Sequence, residues 1–523
     1  MPREKYKPLS FSTTMRNPNR IAGFLKCLMQ VENQILTNEI AIFVAKELIR
    51  KKLYWTRYEK SVPEYKEIYE NDDLSFTQEQ LNDIIENTVQ DHKEAGFDKG
   101  WPSRFDTWYK LSMEFGYVYY AMNQPIIISE LGHMLVAAVS GEFADEETIQ
   151  NVFLHSMMKY QTDNPFRKNR NSNVPLILLL QVIKLLREHD ENATGIFRQE
   201  LSFFICWPNR DAHALYDFIL QFRKDHRFGE YTDEIIYDKC LKILHAGKKD
   251  RNYFKMEKIT GEAVDEYIRK MRSTGIISLR ENGRFIDFNT LLLNRIDYIL
   301  MNYTEYPLFS DKQAYFKYMG TVDEAILKIH SDISDTTEND IRQHALHKYA
   351  KEYDRATIFV ELQKVCNRHE SSDPMLRVIS GPVRLEFLTS IALVQNFENL
   401  GVYPNYTIDD EGLPTCTASG GMADIVCKNG SEIKSLVEVT LMMGRQQLNN
   451  EMIPISRHLA ETKSEFPNAF SIFIAPGIHD DAKRYGRFIY NDENLLIKTY
   501  GINEFMDVIS NYTTIDELAT PEW

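Results

Sequence analysis

Two short apolar runs in the last quarter of the chain each carry a carboxylate at their centre. That pair constrains the fold more than any other feature. Asp424 lies among Met422, Ala423, Ile425 and Val426, just after the Ser419-Gly420-Gly421 turn, and Glu438 lies within Leu436-Val437-Glu438-Val439-Thr440-Leu441. Both runs are rich in β-branched residues and bounded by Gly or Asn-Gly, which predicts strands. A carboxylate inside a buried strand is costly unless something offsets its charge. Two such strands in one hairpin point two carboxylates at one place, and like charges held that close need a proton or a cation between them. A hard divalent ion answers that need and leaves positions for phosphate and water. The competing reading is a hairpin whose two acids are solvent-facing edge residues.

The register decides between them. A two-residue turn at Asn429-Gly430 would pair Asp424 with Ser435 and turn Glu438 to the wrong face. A wider loop centred on Ser431 places Asp424 opposite Glu438, and the polar Ser431-Glu432 pair favours that longer loop. Upstream, Glu386 falls on an amphipathic helical pattern with Leu385, Leu388, Ile391 and Ala392. Downstream, Glu451 and His458 are seven residues apart, a spacing that stacks side chains on one helical face. Pro454 leaves a second option, a helix that begins there with Glu451 at its entrance.

Glu386, Ala423-Asp424, Val437-Glu438-Val439-Thr440, Asn450-Glu451-Met452-Ile453-Pro454 and Arg457-His458-Leu459 together resemble the AlwI-type restriction endonucleases and their nicking relatives. The opening Ser10-Phe11-Ser12-Thr13-Thr14-Met15-Arg16-Asn17-Pro18 is similar to that family's first motif. The resemblance implies a carboxyl-terminal nuclease domain of the PD-(D/E)XK class behind an amino-terminal recognition region, with Mg²⁺ as cofactor. It implies metal ligation by Asp424, Glu438, the backbone carbonyl of Val439 and Glu451, with Glu386 in the outer coordination. Glu451 would hold the attacking water or a second ion, and His458 would contact phosphate or donate a proton near the leaving oxygen. Where the wider superfamily carries a lysine two residues after the metal-binding glutamate, this chain has the uncharged Thr440.

The implied activity is that of a type IIS-like enzyme of a bacterial restriction-modification system. It would recognise a short asymmetric double-stranded DNA site and hydrolyse phosphodiester bonds a few base pairs away. It would act as a strand-specific nickase or as one subunit of a double-strand cutter. Second-strand cleavage would then come from a transient homodimer or a separate small nuclease subunit. Two rivals stand beside this reading: a winged-helix DNA-binding protein with an inactive nuclease-like domain, and a hydrolase of small phosphoesters.

Composition fits such a reading without demanding it. A chain of 523 residues exceeds one compact core and predicts about two to four domains. The longest apolar stretch, from Val174 to Leu186, is interrupted by Gln181 and Lys184, so no membrane span is expected. Arg3, Lys5, Lys7, Arg16 and Arg20 surround no apolar core, so no secretory signal is expected either. Six cysteines without CxxC spacing read as buried free thiols in a reducing cytoplasm. The net charge of −15 argues against a broadly basic nucleic-acid binder, although local distribution decides phosphate contact.

The pattern as a whole predicts a multidomain α+β protein. Residues 1–160 form a first helix-rich recognition subdomain, in which Arg16 is the cation suited to a phosphate backbone. Residues 161–290 form a second. There the loop Asp163 to Asn173 offers Arg167, Lys168 and Arg170 among amides that can read base edges, or is simply a solvated turn. Within the same subdomain, a helix from Asp233 to His245, a turn with Lys248 and Lys249, and a helix from Thr260 bearing Arg269, Lys270 and Arg272 precede a hairpin at Asn282-Gly283. That order is a winged-helix layout, the alternative being any small α+β subdomain with a basic surface helix. Residues 291–340 read as a packed linker, and 341–523 as the cleavage domain with a third strand at Phe470 to Ala475.

Overall fold

The computed structural model describes residues 6–11, 19–71, 73–140, 145–167, 170–189, 195–227, 230–330 and 334–521. The chain folds into two units. The first takes Met1–Lys60, Thr77–Val139 and Glu147–Asp332, and the second takes Ser61–Phe76, Ser140–Glu146 and Ile333–Trp523. No described helix is long and apolar enough to cross a membrane.

The first unit is mostly helical around an aromatic core that includes Phe24, Phe105, Trp108, Tyr109, Phe115, Tyr117 and Tyr160. It contains two short strands, β1 (Val118–Tyr119) and β2 (Ile127–Ile128), paired antiparallel. Ser129 then caps the Glu130–Ala138 helix, accepting the Gly132 N–H. A three-stranded sheet combines β3 (Ile196–Phe197), β4 (Ile277–Arg280) and β5 (Phe285–Phe288) in the order β3-β5-β4. Ahead of its hairpin run the Asp233–Ile243 and Ala263–Arg272 helices, the second preceded by a π-helical turn at Lys258–Glu262. Asn282 and Gly283 take the left-handed conformation expected of a hairpin loop, with φ of 54° and 80°. The extra strand β3 was not legible, since a two-residue strand carries no periodicity.

Two expectations change here. The loop before the Pro175–His189 helix is a lock, not a solvated turn: Asn164, Asn171 and Asn173 are buried, and the side-chain amides of Asn171 and Asn173 both donate to the Trp207 carbonyl. Residues expected as a linker instead form the Leu293–Asn302 and Lys312–Met319 helices of the first unit. Their aromatics lack a common period because Tyr303, Tyr306 and Phe309 lie in the irregular stretch between the two helices, while Tyr315 and Phe316 are buried with Met319 on one face of the second. The buried Lys159 amine clasps this segment, donating to the carbonyls of Met319 at 2.8 Å and Thr321 at 2.7 Å. Burial pushes its pKa down to about 7.

The second unit holds seven strands: β6 (Gly401–Pro404), β7 (Tyr406–Ile408), β8 (Pro414–Ala418), β9 (Ile425–Asn429), β10 (Glu432–Val439), β11 (Phe470–Ala475) and β12 (Ile497–Gly501). Five make a mixed sheet in the order β12-β11-β10-β9-β6, and β7 pairs with β8. The β10-β11-β12 strands run parallel, so each step needs a crossover. The Ile453–Glu465 and Asp480–Glu493 helices supply them. Met452, Ile455, Leu459, Phe473, Ile489 and Ile497 pack together in the core beside these strands. The Gly381–Asn396 helix is buried on every face from Val383 to Leu393, in place of the expected amphipathic stripe. Asp73, from the inserted Ser61–Phe76 segment of this unit, accepts the Arg445 N–H and pairs with His479 at 2.8 Å.

Gly116 shows how tightly the Lys312–Met319 helix is held. Its φ is +78°, and a Cβ there would stand 2.3 Å from the Met319 Cβ. Gly116→Ala is expected to destabilise the first unit by about 2–4 kcal/mol. Gly96→Ala, with φ +86° but nothing within 4 Å of its Cβ, should cost about 1–2 kcal/mol through backbone strain alone. Denaturant unfolding followed by tryptophan fluorescence checks both; equal midpoints for the two variants would rule out the close approach.

Candidate active site

The β9–β10 hairpin builds the site. Asn429 pairs with Glu432, so the turn is the two-residue Gly430-Ser431, with Gly430 at φ +59°. The register then shifts between Ile433 and Ser435, after which Ser435 faces Cys427, Leu436 faces Val426 and Val437 faces Ile425. One step further, that register sets Glu438 against Asp424. The expected juxtaposition is therefore present but its cause differs. The turn is short, and a β-bulge at Lys434 supplies the extra residue that the longer loop was expected to provide.

Backbone amides bind the two acids to one another's strands. The Val439 N–H donates to Asp424 Oδ2 at 2.7 Å, and the Asp424 N–H donates to Glu438 Oε2 at 3.3 Å. Burial pushes the Asp424 carboxyl well above the usual carboxylate range, with Glu438 and Glu451 adding repulsion. Glu438 is also pushed up by burial, and its hydrogen bond with His458 opposes that rise. His458 Nδ1 lies 3.1 Å from Glu438 Oε1, and this bond raises the imidazole pKa.

Glu451 falls in a π-helical turn, Leu448–Met452, immediately before the Ile453–Glu465 helix with Pro454 in its first turn. Of the two arrangements left open by Pro454, Glu451 thus stands at the helix entrance. Burial raises its carboxyl to about 7, and the Thr440 hydroxyl donates to it. The position that lacks the lysine therefore touches the third acid. Glu386 is 3% exposed, and its Oε2 accepts the Ala418 N–H at 3.1 Å. Burial raises its carboxyl first, then Asp424.

One acid escaped the sequence reading. Glu146, in the short Ser140–Glu146 segment of the second unit, is pushed up by burial, bonds with the Thr417 side chain and repels Glu386. Its distance along the chain from every other member left no signal to find it by.

The donor set is one of hard oxygens whose protonation is favoured only because their charge is unanswered, which suits a divalent cation. Among the described residues, no three His, Cys, Asp or Glu side chains converge as a ready-made metal cluster. The acids are held instead by backbone amides, Thr440 and His458.

The candidate DNA-contact cations fare differently. Arg16 and Lys168 lie outside the described residues, as does the side chain of Lys248. Arg167 pairs with Glu114 at 2.6 Å inside the first unit, while Arg170 and Lys249 are exposed. The expected basic helix face is turned inward: Lys270 is 1% exposed and Arg272 6%. Glu266 pairs with Lys270 at 2.9 Å and with Arg269 at 3.0 Å. The amphipathic pattern hid this because Lys and Arg stems are apolar enough to be buried once an acid meets the charged end.

A family model for the AlwI restriction endonuclease matches residues 113–331 and 307–506. No curated protein matches. Among solved structures, the small subunit (R.BspD6I2) of the heterodimeric restriction endonuclease R.BspD6I is 23% identical, covering 29% of this chain and 75% of that one at a TM-score of 0.25. Restriction endonuclease FokI is 12% identical, covering 98% of this chain and 97% of its own at a TM-score of 0.24. FokI bound to DNA is 13% identical, with coverage of 95% and 96% and the same TM-score of 0.24. Superpositions that loose carry no argument about fold or function. The family model spans well over half of the sequence, and it includes Glu386, Asp424, Glu438, Glu451 and His458: the chain belongs to the AlwI restriction endonuclease family.

Proposed function

We propose that the protein is a type IIS-like restriction endonuclease. It recognises a short asymmetric double-stranded DNA sequence through its first unit and hydrolyses phosphodiester bonds a few base pairs away with Mg²⁺. The observation that carries this reading is the opposed pair of a half-buried Asp424 and a buried Glu438, both raised in pKa and bonded to each other's strands. Carboxylates taken this far out of water with no catalytic or binding role would only destabilise the domain. The rival of an inactive nuclease relic accounts for Thr440 but not for the retention of these carboxylates.

Asp424, Glu438, Glu451 and the Val439 carbonyl are the groups that would hold Mg²⁺. When bound, the ion supplies Lewis-acid polarisation of phosphate and a lowered pKa of attacking water. The protein's own residues do the rest. Glu438 fixes the His458 imidazole through Nδ1, which leaves Nε2 to contact phosphate or to pass a proton to the leaving oxygen. Thr440 orients Glu451, which would hold the attacking water or a second ion. Glu386 stands behind Asp424 as an outer acid.

On the recognition side, the helix–helix–hairpin order from Asp233 to Phe288 is that of a winged helix. Arg16, Lys168, Arg170, Lys248 and Lys249 remain its candidate phosphate contacts. Arg167, Arg269, Lys270 and Arg272 do not, since the structure commits them to internal partners or burial.

Asp424→Ala or Glu438→Ala is expected to lower cleavage by at least roughly a thousandfold while DNA binding persists. Mg²⁺-dependent plasmid cleavage beside a gel shift in Ca²⁺ measures both, and substantial residual cutting would sink the assignment.

One Asp/Glu constellation performs one displacement at a time, so a bound monomer is expected to nick one strand first. Cutting of the second strand then needs another nuclease domain, from a second copy or a separate small subunit. Excess Glu438→Ala protein added to limiting wild type should leave the nicked intermediate standing. Simultaneous cutting of both strands by a proven monomer would refute the one-site account.

A further inference from the structure

The inward turn of the basic helix leaves the recognition unit short of cations where a winged helix would present them. The neighbouring arginines are also spent. Arg187 and Arg280 both pair with Asp287, Arg198 with Asp265, Arg223 with Glu200, and Arg251 with Glu234 and Asp238.

The connecting segment between the Asp233–Ile243 and Ala263–Arg272 helices breaks this pattern. Lys249, Lys255 and Lys258 are exposed, and none has an ion-pair partner among the described residues. Three acids lie within the segment: Asp250 accepts the Gly247 N–H, Glu262 is engaged elsewhere, and Glu257 is exposed. Asn252 is exposed with neither end of its amide engaged among the described residues. Tyr253 is 71% exposed, its ring meeting only the edge of Phe254 at 4.8 Å. Tyr253, Lys255 and Lys258 line a hollow together with Leu9, Phe11 and Ile205, and its acids, Glu262 and Glu266, have partners of their own within the protein.

A largely exposed aromatic ring, an unengaged amide and three lysines without an ion-pair partner among the described residues fall within ten residues of a chain of net charge −15. The combination matches duplex DNA: lysines take phosphates, a carboxamide offers the donor–acceptor pair that fits adenine, and an aromatic ring lies against sugar or base edges.

We propose that the segment from Lys249 to Lys258 is a contact surface for duplex DNA, with Lys249, Lys255 and Lys258 on phosphates and Asn252 and Tyr253 against a groove edge. This deepens the nuclease reading and rests on it. The full-length protein in Ca²⁺ is incubated with a pool of random-sequence DNA duplexes, and the bound fraction is sequenced and its affinity measured across salt. The Lys249→Ala/Lys255→Ala/Lys258→Ala variant should bind about 10- to 100-fold more weakly, with the slope of log affinity against log salt reduced by about two to three. The corresponding Lys→Arg variant should restore both. Asn252→Ala and Tyr253→Ala should reduce enrichment of the preferred sequence by about tenfold while leaving the salt slope unchanged. Wild-type slope and enrichment in all these variants, with wild-type protein still selecting a sequence, would overturn the surface and leave the nuclease reading intact. Failure of the wild type to bind any duplex would overturn that reading as well.

Discussion

The organisation of the second unit follows from carboxylates that the fold takes out of water. Asp424 and Glu438 gain amide hydrogen bonds across the β9–β10 pair, yet both remain pushed toward their protonated forms because burial, and at Asp424 also repulsion from Glu438 and Glu451, outweighs those bonds. The elements around them respond to that imbalance. The Ile453–Glu465 helix brings His458 to Glu438, the π-helical turn before it brings Glu451 to Thr440, and the fully buried Gly381–Asn396 helix brings Glu386 within reach of Asp424. A sheet edge exposed to solvent would need none of these attachments.

The first unit has the opposite economy. Its cations are largely consumed in holding it together. Arg167 meets Glu114, Lys159 replaces water with three carbonyls and a hydroxyl, and Lys270 lies over the Phe11 ring at 4.7 Å while pairing with Glu266. Buried ion pairs of this kind are weak evidence for stability, because desolvation offsets most of their attraction. Their consequence for function is clearer. A count of Lys and Arg in the sequence says little about the charge that a partner meets, and the exposed lysines of the 249–258 segment matter because so many of the other cations are committed.

Sequence-distant insertions complete the second unit. Asp73 ties the Arg445 amide to His479, which itself caps the Asp480–Glu493 helix, and Glu146 joins the acids around Glu386. Both come from segments flanked on each side by chain that belongs to the first unit. The second unit is thus not a simple carboxyl-terminal block, and a fragment beginning near residue 341 would lack both acids.

By itself the sequence determined the strands that follow Asp424 and carry Glu438, the third strand at Phe470 to Ala475 and the helix–helix–hairpin order from Asp233 to Phe288, and it singled out the five side chains proposed for the site. These are local properties: β-branched runs, glycine punctuation and helical spacing act over a few residues, and a motif match needs only their order. Tertiary structure decided what depends on distant partners. The bulge at Lys434, not the loop, set the hairpin register, because a one-residue shift is imposed by the pairing of both strands. Residues 291–328 became short packed helices, each with one buried face, and the aromatics of the irregular stretch between them interrupt any shared period. The basic stripe on the Ala263–Arg272 helix turned inward because Glu266 and Phe11 were there to receive it, and no single-helix pattern records what stands opposite.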